Sequence, residues 1–386
     1  MTMASSPFSI DRRNLLLASL GALGGGCCPW QASAEAASPG LVSLDQMIGQ
    51  MIVMGFKGAE PNAPGAQALA EWLRSGLVGG VIFSDGNLVS PQAAERLTRF
   101  FRAAAHPSVP FLCVDQEGGV VVRLRAERGF APLPAAKAVA TRSAHDAELL
   151  YERTAGELCR LGFNVNFGPV VDLAVNSDNP IIEALGRSYG ADPETVVKYA
   201  KAFVNAHRRN HVLTALKHFP GHGSTSLDSH LSLPNISGIW RRDELRPFAE
   251  LARAGYADMV MVGHLVHDEL TGRGRPASLS ALAVQGLLRE RLGYAGVAVS
   301  DDMQMGALRH FFAPDECILL GVEAGIDLFI YNNRDYPDPQ MPGRFHRVVK
   351  AAIDDGRLKP ARVEASFRRL RQLKQKLDSN IAGLAR

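Results

Sequence analysis

Residues 217 to 230, Lys217-His218-Phe219-Pro220-Gly221-His222-Gly223-Ser224-Thr225-Ser226-Leu227-Asp228-Ser229-His230, gather ionisable side chains in a glycine-containing turn directly after an apolar run, Val212 to Leu216. Folding alone places Val, Ser or Asn at such positions; charged groups at the C-terminal end of an apolar strand are how a parallel barrel delivers catalytic residues. Asp228 and His230 lie two residues apart, so the carboxylate can accept from one imidazole nitrogen and leave the other for proton transfer. An ordinary turn, with Asp228 in an Asx-type bond and a solvated His230, fits the same spacing.

A second chemical element is Val297-Ala298-Val299-Ser300-Asp301-Asp302-Met303. Strand alternation sends Asp301 into the mouth and Asp302 away from it. A carboxylate held at Asp301 could attack an anomeric carbon and form a covalent glycosyl intermediate, whereas Asp302 is expected to cap the following helix. Asp115 and Arg123 flank the Gly118-Gly119 turn and pair an acceptor with a planar donor fork, an arrangement suited to vicinal hydroxyls and equally to a rim salt bridge. Arg187, in Gly186-Arg187-Ser188-Tyr189-Gly190, has the same two readings.

The elements that must position these groups follow from the periodicity. From Leu41 onward short apolar runs alternate with amphipathic segments. Strands are predicted at 51–55, 79–83, 111–115, 164–171, 213–217, 258–263, 296–300 and 327–331, with helices at 66–75, 91–104, 144–161, 193–209, 242–254 and 279–292, the last with Ser278 or Ser280 as N-cap. Helices at 344–354 and 360–377 close the chain. Eight strand–helix units predict a single-domain (β/α)8 barrel of the TIM type, whose mouth would collect Asp115, Asp172, Lys217, His218, His264 and Asp301.

The first residues read as an address. Arg12-Arg13, the apolar run Leu15 to Gly26 and Ala32-Ser33-Ala34 resemble a twin-arginine export leader with a small-x-small cleavage site. The run is too short for a stable membrane anchor, and Cys27 follows three glycines, a poor context for lipid attachment. The expected organisation is a cleavable leader at 1–34 and a catalytic domain at 35–386, periplasmic or secreted. A net charge of +3 over 386 residues, without a basic stripe, argues against a nucleic-acid partner, and a monomer is expected. Cys113, Cys159 and Cys317 are expected as buried free thiols. His207 and His211 have the spacing of a helical zinc pair, but Arg208 stands between them, so both are expected simply near a helix C-terminus. No metal and no cofactor are expected.

Taken together, Val114-Asp115-Gln116-Glu117-Gly118-Gly119, Asn179-Pro180 with Gly186-Arg187-Ser188-Tyr189-Gly190, the 217–230 stretch, Met261-Val262-Gly263-His264 and Ser300-Asp301-Asp302-Met303-Gln304-Met305 resemble the bacterial β-N-acetylglucosaminidases of glycoside hydrolase family 3, the single-domain NagZ type. The resemblance implies a retaining mechanism with Asp301 as nucleophile and His230 as general acid/base oriented by Asp228. It also implies that Asp115, Arg123, Arg187, Lys217 and His218, with His264 as a further neighbour, bind a terminal GlcNAc. The substrates implied are peptidoglycan fragments or chitooligosaccharides. Phosphorolysis, β-glucosidase activity and non-catalytic glycan binding are the alternatives. Val120 and Val122 depart from the polar residues usual in that family, and the leader departs from its cytoplasmic members.

Overall fold

A computed structural model describes residues 42–105 and 108–384, with side chains described to 377; the leader and Cys27 lie outside the described residues. Eight strands follow one another around a closed barrel: β1 (Ile52–Met54), β2 (Gly80–Phe83), β3 (Phe111–Val114), β4 (Val165–Asn166), β5 (Leu213–Phe219), β6 (Met259–Val262), β7 (Val297–Asp302) and β8 (Leu328–Tyr331). Each pairs in parallel with the next, and β8 returns to β1 with Met54 opposite Tyr331. Helices cover the outer face, so most strands are buried along their whole length and read as continuous apolar runs rather than as an alternating pattern.

The covering helices show why their segments fold as they do. Pro193–Arg209 starts with Pro193 at its first position and Asp192 as N-cap, accepting from Thr195 N–H at 2.9 Å. Its buried stripe, Val196, Ala200, Phe203, Val204 and His207, has helical spacing and packs on the neighbouring helix Ala144–Arg160. The helix Arg246–Arg253 carries Pro247 in its first turn, where no intrahelical N–H is required; the stretch before it, Arg242–Leu245, is a tighter 3-10 turn instead of a continuation.

Four expectations change. The fourth strand has two residues, not eight, because Gly168-Pro169 interrupts the run; Pro169 has no N–H for the ladder, and only Val170 bridges on, to Lys217. The segment predicted at 279–292 forms a wide π-type helix at Leu282–Arg291. Ser280 accepts from Ala283 N–H beside its start, while Ser278 is drawn to His264. Cys113 and Cys317 are buried free thiols, but Cys159, half-buried at the end of its helix, is disulfide-bonded. Among the described residues no helix is long and apolar enough to cross a membrane.

Candidate active site

The floor of the mouth is an ion network. Lys217, near the end of β5, reaches Asp115 at 3.0 Å and Glu117 at 2.6 Å. Arg187 grips Glu117 with both arms of its fork, Nε to Oε2 at 2.7 Å and Nη2 to Oε1 at 2.8 Å, and Arg123 approaches Asp115 at 3.4 Å. Burial opposes the charge of Glu117, but Arg187 and Lys217 outweigh it and hold the carboxyl well below the usual range. Burial likewise opposes the charge on Lys217, and Asp115 and Glu117 overcome it, so its pKa is raised. The result is a rigid array of donors and acceptors that is already charge-compensated before a ligand arrives.

Asp172, wholly buried, organises the next layer. Its Oδ1 accepts from the backbone N–H groups of His218 (3.0 Å) and His222 (2.8 Å), and its Oδ2 pairs with His218 Nδ1 at 2.6 Å. Burial raises its pKa and the pull of His218 lowers it; the net shift is downward. His218 is thereby turned so that Nε2 lies 3.4 Å from Arg187 Nη2.

Asp301 and Asp302 end β7 with opposite fates. Burial penalises the charge on Asp301, yet the pull of His218, His264 and His230 prevails and its pKa falls to about 2. Asp301 Oδ1 also accepts from Asp302 N–H at 2.8 Å. Burial pushes Asp302 up to about 7, against the N–H groups of Asn332 and Gln304 and with the help of the Asp301 charge. Asp302 therefore does not cap the next helix, whose N-cap is Met305; it ties the β7 turn to the end of β8. The two adjacent carboxyls are pushed apart in pKa, Asp301 toward the anion and Asp302 toward the protonated form.

His230 stands on the loop after β5. Asp228 Oδ1 accepts both its backbone N–H (2.8 Å) and its Nδ1–H (2.7 Å), leaving Nε2 for proton transfer. The imidazole is 61% exposed, so it can exchange protons with water. The rising arm of this loop is moulded onto neighbours: Glu244 accepts from the N–H groups of Gly223 (2.9 Å) and Ser224 (3.2 Å). Gly223 is required because a Cβ there would sit 1.9 Å from the Leu173 carbonyl oxygen.

A cavity of about 510 Å³ brings Asp115, Arg123, Arg187, Lys217, His218, Asp228, His230 and Asp301 together, within the range of small-ligand sites. His264 does not join them. It is completely buried, and with its pKa lowered by burial its Nε2–H donates to the Asp302 carbonyl (3.0 Å) while Nδ1 faces Ser278 Oγ (2.7 Å). One nitrogen is taken by the end of β7 and the other by Ser278, and His264 is not among the residues lining the cavity, which corrects the expectation that it contacts sugar. His207 is also no ligand: it bonds Asn166 and the Phe203 carbonyl, and burial lowers its pKa to about 4. It lies in the last turn of its helix, as expected, but as a neutral core residue and not as a charge. Among the described residues no cluster of three His, Cys, Asp or Glu could hold a metal. The residue that sequence reasoning passed over is Glu117; its position beside Gly118-Gly119, two residues after Asp115, was the available signal.

The sequence matches the glycosyl hydrolase family 3 N terminal domain over residues 43–373. It is 33% identical over 356 residues to Beta-hexosaminidase LpqI of Mycobacterium tuberculosis, covering 90% of this chain and 86% of that protein. It is 31% identical over 379 residues to Beta-hexosaminidase A of Pseudoalteromonas piscicida, covering 89% of this chain but 63% of the relative. The solved structure of a glycoside hydrolase family 3 beta-N-acetylglucosaminidase from Paenibacillus sp. str. FPU-7 superposes with a TM-score of 0.80 at 33% identity, over 88% of this chain and again 63% of the other. The chain thus spans less than two thirds of two of these relatives. Matched over most of its own length, it belongs to glycosyl hydrolase family 3.

Proposed function

We propose that the protein is a retaining exo-β-N-acetylhexosaminidase that removes terminal, non-reducing β-linked GlcNAc from peptidoglycan fragments or chitooligosaccharides. The observation that carries this reading is the shared cavity: an Asp228–His230 dyad and an ionised Asp301 open onto the same charge-compensated floor. The names of the relatives, beta-hexosaminidases and a beta-N-acetylglucosaminidase, point the same way.

In the first step Asp301 forms a bond to the anomeric carbon as the glycosidic C–O bond breaks, and His230 Nε2–H gives its proton to the leaving oxygen. In the second, His230 takes a proton from water, whose oxygen bonds the anomeric carbon and releases Asp301. A histidine acid suits this mouth, since a further carboxylate beside Asp301 and Asp115 would add repulsion. Asp115, Lys217, Arg123, Arg187 and His218 supply acceptors and donors for the sugar hydroxyls. Export by the Arg12-Arg13 leader, with cleavage after Ala34, belongs to the same proposal; N-terminal sequencing of exported protein tests it, and a start at Cys27 overturns it.

The functional test is nitrophenol release from p-nitrophenyl β-N-acetylglucosaminide, beside the β-glucoside, with and without phosphate. Turnover of the GlcNAc substrate alone supports the reading. Acceleration by phosphate replaces hydrolysis with phosphorolysis, preference for the glucoside replaces the sugar, and no turnover of either overturns the assignment.

A further inference from the structure

Around the tip of the loop after β5 nearly everything faces water. Leu227 is 51% and Leu231 72% exposed, and the His230 side chain is 61% exposed. Ser229 is the exception, at 2%. Its hydroxyl lies 3.1 Å from His222 Nε2, and its carbonyl accepts from Ala307 N–H at 3.1 Å. The next carbonyl, of His230 itself, accepts from Gly306 N–H at 3.1 Å. Thus one buried residue, placed between the two members of the dyad, joins the catalytic loop to the His218–His222 layer on one side. On the other side the loop rests on the turn that follows the nucleophile strand.

His222 fits a holding role and no chemical one. It is 1% exposed, does not line the cavity, and burial with the neighbouring His218 lowers its pKa to about 4. Among the described residues its Nδ1 has no partner, and Ser229 is the one hydrogen-bond partner of the ring. Gly306 supplies the matching space: a Cβ there would sit 2.4 Å from the His230 carbonyl oxygen. Its φ is not in the left-handed region, so what requires glycine is the approach of the loop.

Resting on the proposed role of His230, we infer that His222, Ser229 and Gly306 are positioning residues: a pin and a socket that seat the acid/base imidazole against the nucleophile turn. A loop anchored by few groups opens at small cost, and a proton donor displaced by about 1 Å loses on the order of a hundredfold. The loss must fall on reactions that need the proton, which is a signature that general destabilisation does not produce.

The test compares kcat/KM for a methyl β-GlcNAc glycoside, whose leaving group needs protonation, with that for a dinitrophenyl β-GlcNAc glycoside, whose leaving group does not. Wild type and His230→Ala set the scale. Ser229→Ala and Gly306→Ala are expected to lose about tenfold to a hundredfold on the methyl glycoside and less than threefold on the dinitrophenyl one, with an unchanged urea midpoint. His222→Gln should behave in the same way, and Ser229→Thr, which keeps the hydroxyl, should recover most of the loss. Equal losses on both substrates, or none, overturn the inference. If wild type cleaves neither glycoside, or His230→Ala shows no leaving-group dependence, the functional reading has failed instead.

Discussion

Glu117→Gln is the sharpest perturbation of the floor. The carboxylate is buried and receives three charged hydrogen bonds, at 2.7 and 2.8 Å from Arg187 and 2.6 Å from Lys217. Gln keeps the volume and one acceptor but removes the charge. Lys217 then retains Asp115 at 3.0 Å, while Arg187 is left with the Ile181 carbonyl at 3.0 Å and, among the described residues, no carboxylate within salt-bridge range. Each charged hydrogen bond contributes about 1.5–3 kcal/mol, not additively, and breaking a buried ion pair from one side costs about 3–5 kcal/mol. The expected loss in urea unfolding at pH 7 is therefore about 3–5 kcal/mol, a large share of the 5–15 kcal/mol typical of a domain. With two cavity-lining cations released, kcat/KM should fall on the order of a hundredfold, equivalent to about 2.7 kcal/mol. Glu117→Asp keeps the charge but is too short to reach both partners, and should fall between. The linkage has a definite sign: the folded pKa lies below the unfolded one, so this stability is present above about pH 4.5. It is lost as pH falls, and the Gln variant lacks that acid limb. A stability change under about 1 kcal/mol, with kcat/KM within threefold of wild type, would refute the counter-ion argument.

Other consequences follow from the same geometry. Asp301→Ala should abolish turnover while leaving the urea midpoint near that of wild type; residual activity above about 1% would remove it as the nucleophile. His230→Ala should slow substrates with poor leaving groups far more than a nitrophenolate, and equal slowing would dismiss it as the proton donor. Buried His207, with its pKa held near 4 against 6.5 when unfolded, lets the unfolded chain bind its proton first. Stability should thus drop by about 3 kcal/mol between pH 6.5 and pH 4, and His207→Gln should flatten that slope in urea titrations; an identical slope would contradict it. EDTA should leave the rate unchanged, whereas inhibition reversed by zinc would sink the metal-free mechanism.

How much could be read in advance depended on the range of the interaction. The eight strands were legible because each is a short apolar run between turns, a local signal that burial on both faces enforces. The Asp228–His230 dyad was legible for the same reason, since two residues of separation suffice to bring Nδ1 to the carboxylate. Strand alternation placed Asp301 at the mouth but sent Asp302 away from it, whereas both line the cavity. What the chain alone did not disclose depends on partners far away in sequence. Glu117 becomes the counter-ion of Arg187 across 70 residues, and Asp172 orients His218 across 46. His264 looked like a sugar ligand from its place after β6, until Ser278 and the Asp302 carbonyl took both nitrogens. Asp302 looked like a helix cap, until Asn332 at the end of β8 claimed it. Local pattern therefore determined which residues could enter the mouth. Barrel closure decided which of them are charged, which are already satisfied and which remain free to act, because those properties depend on desolvation and on neighbours that only the tertiary structure brings within a few ångströms.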